Sequence, residues 1–325
     1  MSADPTPSSS RSVSTLAVVG AGSVGATLAY AALMRGAARH VVLYDINRKK
    51  VEAEALDIGH GIEFMPQGTI EGSDDLEICR GADVVVFTAG AKQHPGQSRM
   101  DLAERTVGLV REVMPRLVAM TPDAIHVMVT NPVDVVTYAA QAVTGLPTQQ
   151  LFGSGTVLDS SRMRYLVAQE CGVAVQNVHA YILGEHGDSE IPIWSSASIG
   201  GVPLLEWPGH GRQPLFDVGV RERITHEVIT SAYRIIEGKG ATNYAVALAA
   251  TRIIEAILRG EHRVLPVSTR IDDYVGISDV CMSVPTVVDR GGAVQRLLVP
   301  MDDAEIAGLR ASADHIRSVA RSLGF

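Results

Sequence analysis

Short apolar runs and helically spaced apolar positions alternate along the first half of the chain. Residues 16–19 are apolar, three glycines follow within six positions, and residues 24–34 are rich in Ala and Leu. That order predicts strand, tight turn and helix. Residues 40–45, His-Val-Val-Leu-Tyr-Asp, give a second buried strand ending in an acid. A helix is predicted over 48–59, and β-branched strands over 82–88 and 124–130. Helical spacing over 98–120 includes Pro115, placed to kink or break the helix. Strands alternating with helices predict an α/β class with a doubly wound parallel sheet and right-handed crossovers. Ligands of such sheets sit beyond the carboxyl ends of the strands.

The second half has a different rhythm. Helices are predicted at 160–171, 221–237, 244–259 and 303–323, with strand-like runs at 178–183, 263–269, 280–286 and 291–297. This reads as α+β. The predicted organisation is a disordered Ser/Pro-rich tail over 1–12, a first domain over 13–153 and a substrate domain over 154–325.

One segment invites another reading. Residues 12–34 carry no charge and lie between Arg11 and Arg35, the pattern of a signal peptide or membrane span. Gly20, Gly22 and Gly25 are costly inside a helix, so strand, turn and helix fit better. A cytoplasmic chain without a membrane partner is expected. Apolar residues at 46% and charged residues at 20% exclude a disordered or fibrous chain. The net charge of −8 opposes a general nucleic-acid surface. Cys79, Cys171 and Cys281 lie far apart without CxxC or CxxH spacing. Neither a disulfide framework nor a metal site is expected, but three buried thiols in a reducing compartment.

Candidate chemistry gathers after the predicted strands. Gly20-Ala-Gly22-Ser-Val-Gly25 fits GxGxxG between a strand and a helix, and Asp45 ends the next strand. In a Rossmann-type unit Gly20 makes the turn, Gly22 admits a pyrophosphate and Gly25 lets the helix pack on the strand. Asp45 would accept from ribose hydroxyls and repel a 2′-phosphate, favouring NAD; a turn or cap acid is the plainer role. His186, in Gly184-Glu-His186-Gly-Asp188, suits a proton donor and acceptor or is a solvated loop histidine. Asp159 and Arg162 share one helix face, either as a local ion pair or with separate tasks. In the second case Asp159 fixes and charges an imidazole, while Arg162 grips a substrate carboxylate. Residues 91–99 form a polar Pro/Gly loop, or a lid carrying Arg99 to a reacting carbonyl.

These segments, with Thr88-Ala-Gly90, Gln93-His-Pro95-Gly96-Gln-Ser-Arg99, Thr130-Asn131-Pro132-Val133-Asp134 and Lys239-Gly-Ala-Thr242, resemble the lactate/malate dehydrogenase superfamily. Within it they are most similar to the bacterial L-lactate dehydrogenases, over nearly the whole chain from Thr15 onward. Lys92, His94 and Asn243 depart from the usual pattern. The resemblance implies that His186 protonates the keto oxygen of pyruvate while NADH delivers hydride, with Asp159 orienting and charging the imidazole. Arg162 would bind the carboxylate and Arg99 polarise the carbonyl. Asn131 would bond near nicotinamide and substrate, and Thr242 would line the methyl end. NAD contacts are implied for Gly20, Gly22, Val24, Gly25 and Asp45, and for Thr88, Ala89, Gly90, Thr130 and Asn131.

Gln93 bears on the substrate. The superfamily's malate enzymes carry Arg there, to pair with a second carboxylate. A neutral Gln would leave that charge unpaired in a closing site, at a cost of several kcal/mol. Pyruvate is therefore expected, with a malate or broader 2-hydroxyacid dehydrogenase as the alternative and an NAD-binding scaffold or sensor as the non-enzyme reading. Arg164 lies about 200° round the helix from Arg162, away from the pocket. In relatives activated by fructose 1,6-bisphosphate, Arg and His at the places of Arg164 and His179 contact phosphates at a subunit interface. An activated homotetramer is expected on that resemblance.

Overall fold

A computed structural model describes residues 14–90, 99–209 and 213–325, with the side chains of residues 99 and 101 excepted. The predicted tail and the loop bearing Gln93 fall outside the described residues. The first half runs β1 (Thr15–Val19), α1 (Ser23–Met34), β2 (His40–Tyr44), α2 (Arg48–His60), β3 (Thr69–Ser73) and β4 (Val84–Phe87). It continues with α3 (Arg99–Met120), β5 (Ile125–Met128), α4 (Val133–Thr144) and β6 (Leu151–Gly153). Then follow α5 (Val157–Cys171), β7 (Val178–Leu183), β8 (Ile191–Ile199), β9 (Val202–Pro203), α6 (Val218–Lys239) and α7 (Tyr244–Arg259). The chain closes with β10 (Arg263–Ile271), β11 (Val280–Asp289), β12 (Gly292–Arg296) and α8 (Asp303–Ser322).

The strands β3-β2-β1-β4-β5-β6 lie side by side and parallel. This is the doubly wound order, whose ligand crevice lies where the order reverses, beyond β1 and β4. Both faces are buried by alternation. Ala17, Val19, Val85 and Phe87 point to the core containing Val110, Met114 and Leu117 of α3 and Val136 and Ala140 of α4. Leu16, Val18, Val84 and Val86 point to the opposite core, with Leu28 and Ala32 of α1 and Ile253 and Ile254 of α7. The near-continuous apolar strands follow from this double burial.

The α+β second half does not stand apart from the sheet. Strand β10 pairs antiparallel with β6 through Ser268 and Gly153, and β11 and β12 extend the same nine-stranded sheet. A separate three-stranded sheet holds β7, β8 and β9.

Three local expectations change. Pro115 lies inside α3 and does not end it; Met114 and Leu117 beside it are fully buried, and that packing carries the helix through. Helix α5 starts at Val157, before the predicted 160, so Asp159 falls in its first turn. Of the three thiols, Cys79 and Cys281 are buried, but Cys171 at the end of α5 is partly exposed.

Candidate active site

The glycine turn follows β1. Gly20 has φ +107°, and a Cβ there would lie 2.7 Å from Ala89 N. At Gly25 a Cβ would lie 1.8 Å from the Gly20 carbonyl oxygen, so only glycine lets α1 start this close to the strand. At Gly22 an added Cβ would meet nothing within 4 Å among the described residues. No side chain caps α1, and its first turn holds no acid. The turn therefore offers space and unclaimed N–H groups to a phosphate.

The neighbouring strand ends brace this turn. The Thr88 hydroxyl donates to the Gly20 carbonyl (2.9 Å), and the Thr130 hydroxyl donates to the Ala89 carbonyl (2.8 Å). Gly90 lies against the Thr130 methyl, 2.7 Å from where its Cβ would be. Asp45 accepts from Ala21 N–H (2.8 Å) and Asn47 N–H (2.9 Å), which ties the end of β2 to the glycine turn. The plain turn-acid role is thus present, and it sets the carboxylate beside the phosphate loop. Val24 packs at the edge of the α1 core, and Asn131 is exposed after β5. These residues fit a dinucleotide.

The second cluster is ionic. Asp159 Oδ2 accepts from His186 Nδ1 at 2.6 Å, and Asp159 Oδ1 accepts from Arg162 Nη1 at 2.6 Å. The side chains of Asp159, Arg162 and His186 are 2%, 15% and 23% exposed. The i,i+3 ion pair is real but buried, and it shares its carboxylate with the imidazole. His186 Nε2 and the remaining Arg162 nitrogens have no partner among the described residues. Burial alone would lower the His186 pKa, but the charge and hydrogen bond of Asp159 outweigh it and push it up to about 9. Burial works against ionised Asp159 as well; His186 and Arg162 reverse that and hold it below the usual carboxylate range.

Long-range contacts position the histidine. Gly184 has φ +89° and pairs both ways with Ser283 of β11. Asp134, in the first turn of α4, accepts from His186 N–H (2.8 Å) and from the Ser268 hydroxyl (2.6 Å). Its burial pushes its pKa up to about 6. Asp134 stands in the quoted Asn-Pro-Val-Asp segment, yet nothing local marks it as the anchor of a loop 52 residues away. Nothing local marks Glu190 either. It is 5% exposed, its Oε1 has no partner among the described residues, and its carboxyl lies within 4.8 Å of the ligand atoms of Asp159 and His186. Both Asp159 oxygens already face cationic donors, so this cluster opposes a divalent ion.

The other predicted residues lie as follows. Thr242 sits, partly buried, between α6 and α7; its neighbour Asn243 donates to Thr27 of α1 (3.0 Å). Arg164 Nε donates to the Ala180 carbonyl (2.8 Å), and the guanidinium lies 5.2 Å from the Tyr181 ring centre. That sets it against β7 beside exposed His179. Arg99 opens α3, its side chain undescribed, and Gln93 lies outside the described residues.

A dinucleotide crevice beside a buried carboxylate–imidazole–guanidinium centre defines a nicotinamide-dependent oxidoreductase. Residues 14–153 match the family model "lactate/malate dehydrogenase, NAD binding domain", and residues 156–322 match "lactate/malate dehydrogenase, alpha/beta C-terminal domain". The chain belongs to the lactate/malate dehydrogenase family. It is 55% identical over 313 residues to an L-lactate dehydrogenase of Bifidobacterium animalis subsp. lactis, covering 95% of this chain and 97% of that one. It is 42% identical over 308 residues to an L-lactate dehydrogenase of a Thermoanaerobacter species, covering 95% and 98%. Among solved structures, the minor L-lactate dehydrogenase from Enterococcus mundtii superposes with a TM-score of 0.91 at 35% identity, covering 95% and 98%. The chain is an NAD-dependent oxidoreductase.

Proposed function

We propose that this chain is an L-lactate dehydrogenase, interconverting pyruvate and L-lactate with His186 as proton donor and acceptor. The observation that carries the reading is one buried carboxylate holding both an imidazole and a guanidinium, with His186 Nε2 unengaged among the described residues. NAD binds along Gly20, Gly22, Val24 and Gly25, with Asp45 at the ribose and Thr88, Ala89, Gly90, Thr130 and Asn131 on the strand ends. When bound, the cofactor supplies the hydride. His186 donates its Nε2 proton to the keto oxygen, and Asp159 stabilises the charged ring beforehand. Arg162 keeps one nitrogen on Asp159 and turns the rest of its fork to the substrate carboxylate. The roles of Arg99 at the carbonyl, Gln93 against a second carboxylate and Thr242 at the methyl end rest on the family resemblance.

The finer reading adds regulation. Arg164 and His179 form an anion site for fructose 1,6-bisphosphate in a cytoplasmic homotetramer. The half-buried guanidinium beside the exposed imidazole supports it. The effector must bind the active arrangement better than the inactive one. One assay tests both layers: NADH oxidation with pyruvate against oxaloacetate, each with and without fructose 1,6-bisphosphate. Preference for oxaloacetate would favour a malate dehydrogenase. Identical pyruvate saturation curves with and without effector would reject the regulatory site.

A further inference from the structure

Glu190 has no part in the chemistry above, yet it stands inside the same centre. It follows the His186 loop, just ahead of β8, where its backbone N–H donates to the Gly187 carbonyl (3.3 Å). The charged groups around it come from two directions. From α5 come ionised Asp159 and the Arg162 guanidinium; from its own loop come His186 and Glu185. Glu185 is itself occupied, accepting from Ser189 N–H (3.2 Å) and facing His315 at 3.7 Å. Asp188, two residues before Glu190, accepts from the Tyr233 hydroxyl. Asp134 reaches the same loop through the His186 backbone.

Two carboxyl groups this close, both out of water, cannot both be ionised cheaply. Asp159 has the first claim on negative charge, because a cation faces each of its oxygens. Among the described residues Glu190 has no donor on Oε1 to stabilise a carboxylate. The proton therefore stays on Glu190. With it in place, Asp159, Arg162, His186 and Glu190 together carry one net positive charge, the complement of a keto-acid monoanion. Without it they carry none.

We propose that Glu190 is a second proton-holding residue of the centre: its neutral form admits the anionic substrate, its ionised form repels it, and tight binding needs a proton on His186 and another on Glu190. Burial, followed by the charge of Asp159, pushes the Glu190 carboxyl up to about 9, the range in which His186 also titrates. The two protons thus leave as a coupled pair over the same alkaline span. Glu190 works through charge and not through contact, as a positioning residue. The inference rests on the keto-acid reading of the site.

The test is the alkaline limb of substrate binding. In the unaltered enzyme, log(kcat/KM) for pyruvate at saturating NADH should steepen toward a hundredfold loss per pH unit. The affinity of the NADH complex for oxamate, an unreactive analogue, should follow the same limb. Glu190→Gln should reduce the limb to tenfold per unit. A purely structural role would lower the whole curve and leave its slope unchanged. A tenfold limb in the unaltered enzyme, or an unaltered limb in Glu190→Gln, overturns the proposal. Should the variant fail to fold, proton uptake by the unaltered enzyme on binding oxamate decides. Near the upper end of the limb, uptake above one proton per subunit supports the proposal, and uptake of one or fewer refutes it. Absence of pyruvate turnover at every pH would instead remove the substrate reading. Glu190 is then judged by infrared difference spectroscopy at neutral pD: a carboxylic-acid C=O band lost in Glu190→Gln upholds its protonation, and no such band refutes it.

Discussion

Replacing Asp159 by Asn keeps the side chain's shape and removes its charge. In the present structure that charge outweighs burial and pushes the His186 pKa to about 9. At about pH 7.5 a group with that pKa is about 97% protonated. Without the carboxylate the ring falls back toward its ordinary 6.5, because burial is then opposed only by the lesser charges of Asp134 and Glu190. With a pKa of about 6.5, about 9% of the enzyme holds the proton at the same pH, roughly a tenfold loss before any cost of misorientation. Pyruvate should need the protonated ring and lactate the neutral one, so the loss should be lopsided. The assay is kcat/KM for pyruvate and for lactate from about pH 5.5 to 9, in both enzymes. The variant should recover pyruvate reduction toward acid pH, with a midpoint at least two units below that of the unaltered enzyme. Equal losses for pyruvate and lactate, or an unchanged midpoint, would refute the assignment of Asp159. The variant also takes from Arg162 its salt bridge to Asp159, and breaking such a buried pair costs about 3–5 kcal/mol of stability. Thermal unfolding should show this as a clear fall in Tm.

Glu190→Gln should raise Tm at about pH 8 and change it little at about pH 5. The sign follows from a folded-state pKa raised from 4.5 to about 9: the stability it contributes is full below 4.5 and fades as pH rises through about 9. Matching Tm differences at both pH values would contradict it. The glycine turn separates two effects. Gly25→Ala drives a Cβ into the Gly20 carbonyl and should destabilise the fold by about 1–3 kcal/mol or more. Gly22→Ala meets nothing within 4 Å among the described residues, so Tm should hold while the NADH dissociation constant, read by fluorescence, rises. Gln93→Arg should shift kcat/KM from pyruvate toward oxaloacetate, and no relative gain for oxaloacetate would show that position 93 does not sense the second carboxylate.

Much of the frame is local and therefore legible. Residues 16–19, 40–45, 82–88 and 124–130 read as buried strands because the parallel sheet hides both their faces, leaving continuous apolar runs. Helix α4 was not legible. Half of its twelve residues, Val133, Val135, Val136, Thr137, Val143 and Thr144, are β-branched and favour a strand. Burial between the sheet and the helices around it decides for helix there. The short strands β6 and β9, with three and two residues, exist only because partners wait for them. Strand β3 is half-exposed at the sheet's edge and carries little apolar signal.

The sequence alone determined the residue types and their spacing: a glycine turn between strand and helix, an acid twenty residues on, and His186, Asp159 and Arg162 as candidates. Those features rest on backbone sterics and on short-range periodicity, which act within a few residues. The tertiary structure decided that one carboxylate serves both cations, that Asp134 anchors the histidine loop, that β10 joins β6, and that Glu190 sits in the same centre with no donor on Oε1 among the described residues. Each of these depends on which distant groups lose water together, and desolvation is set by the whole fold and not by neighbours along the chain.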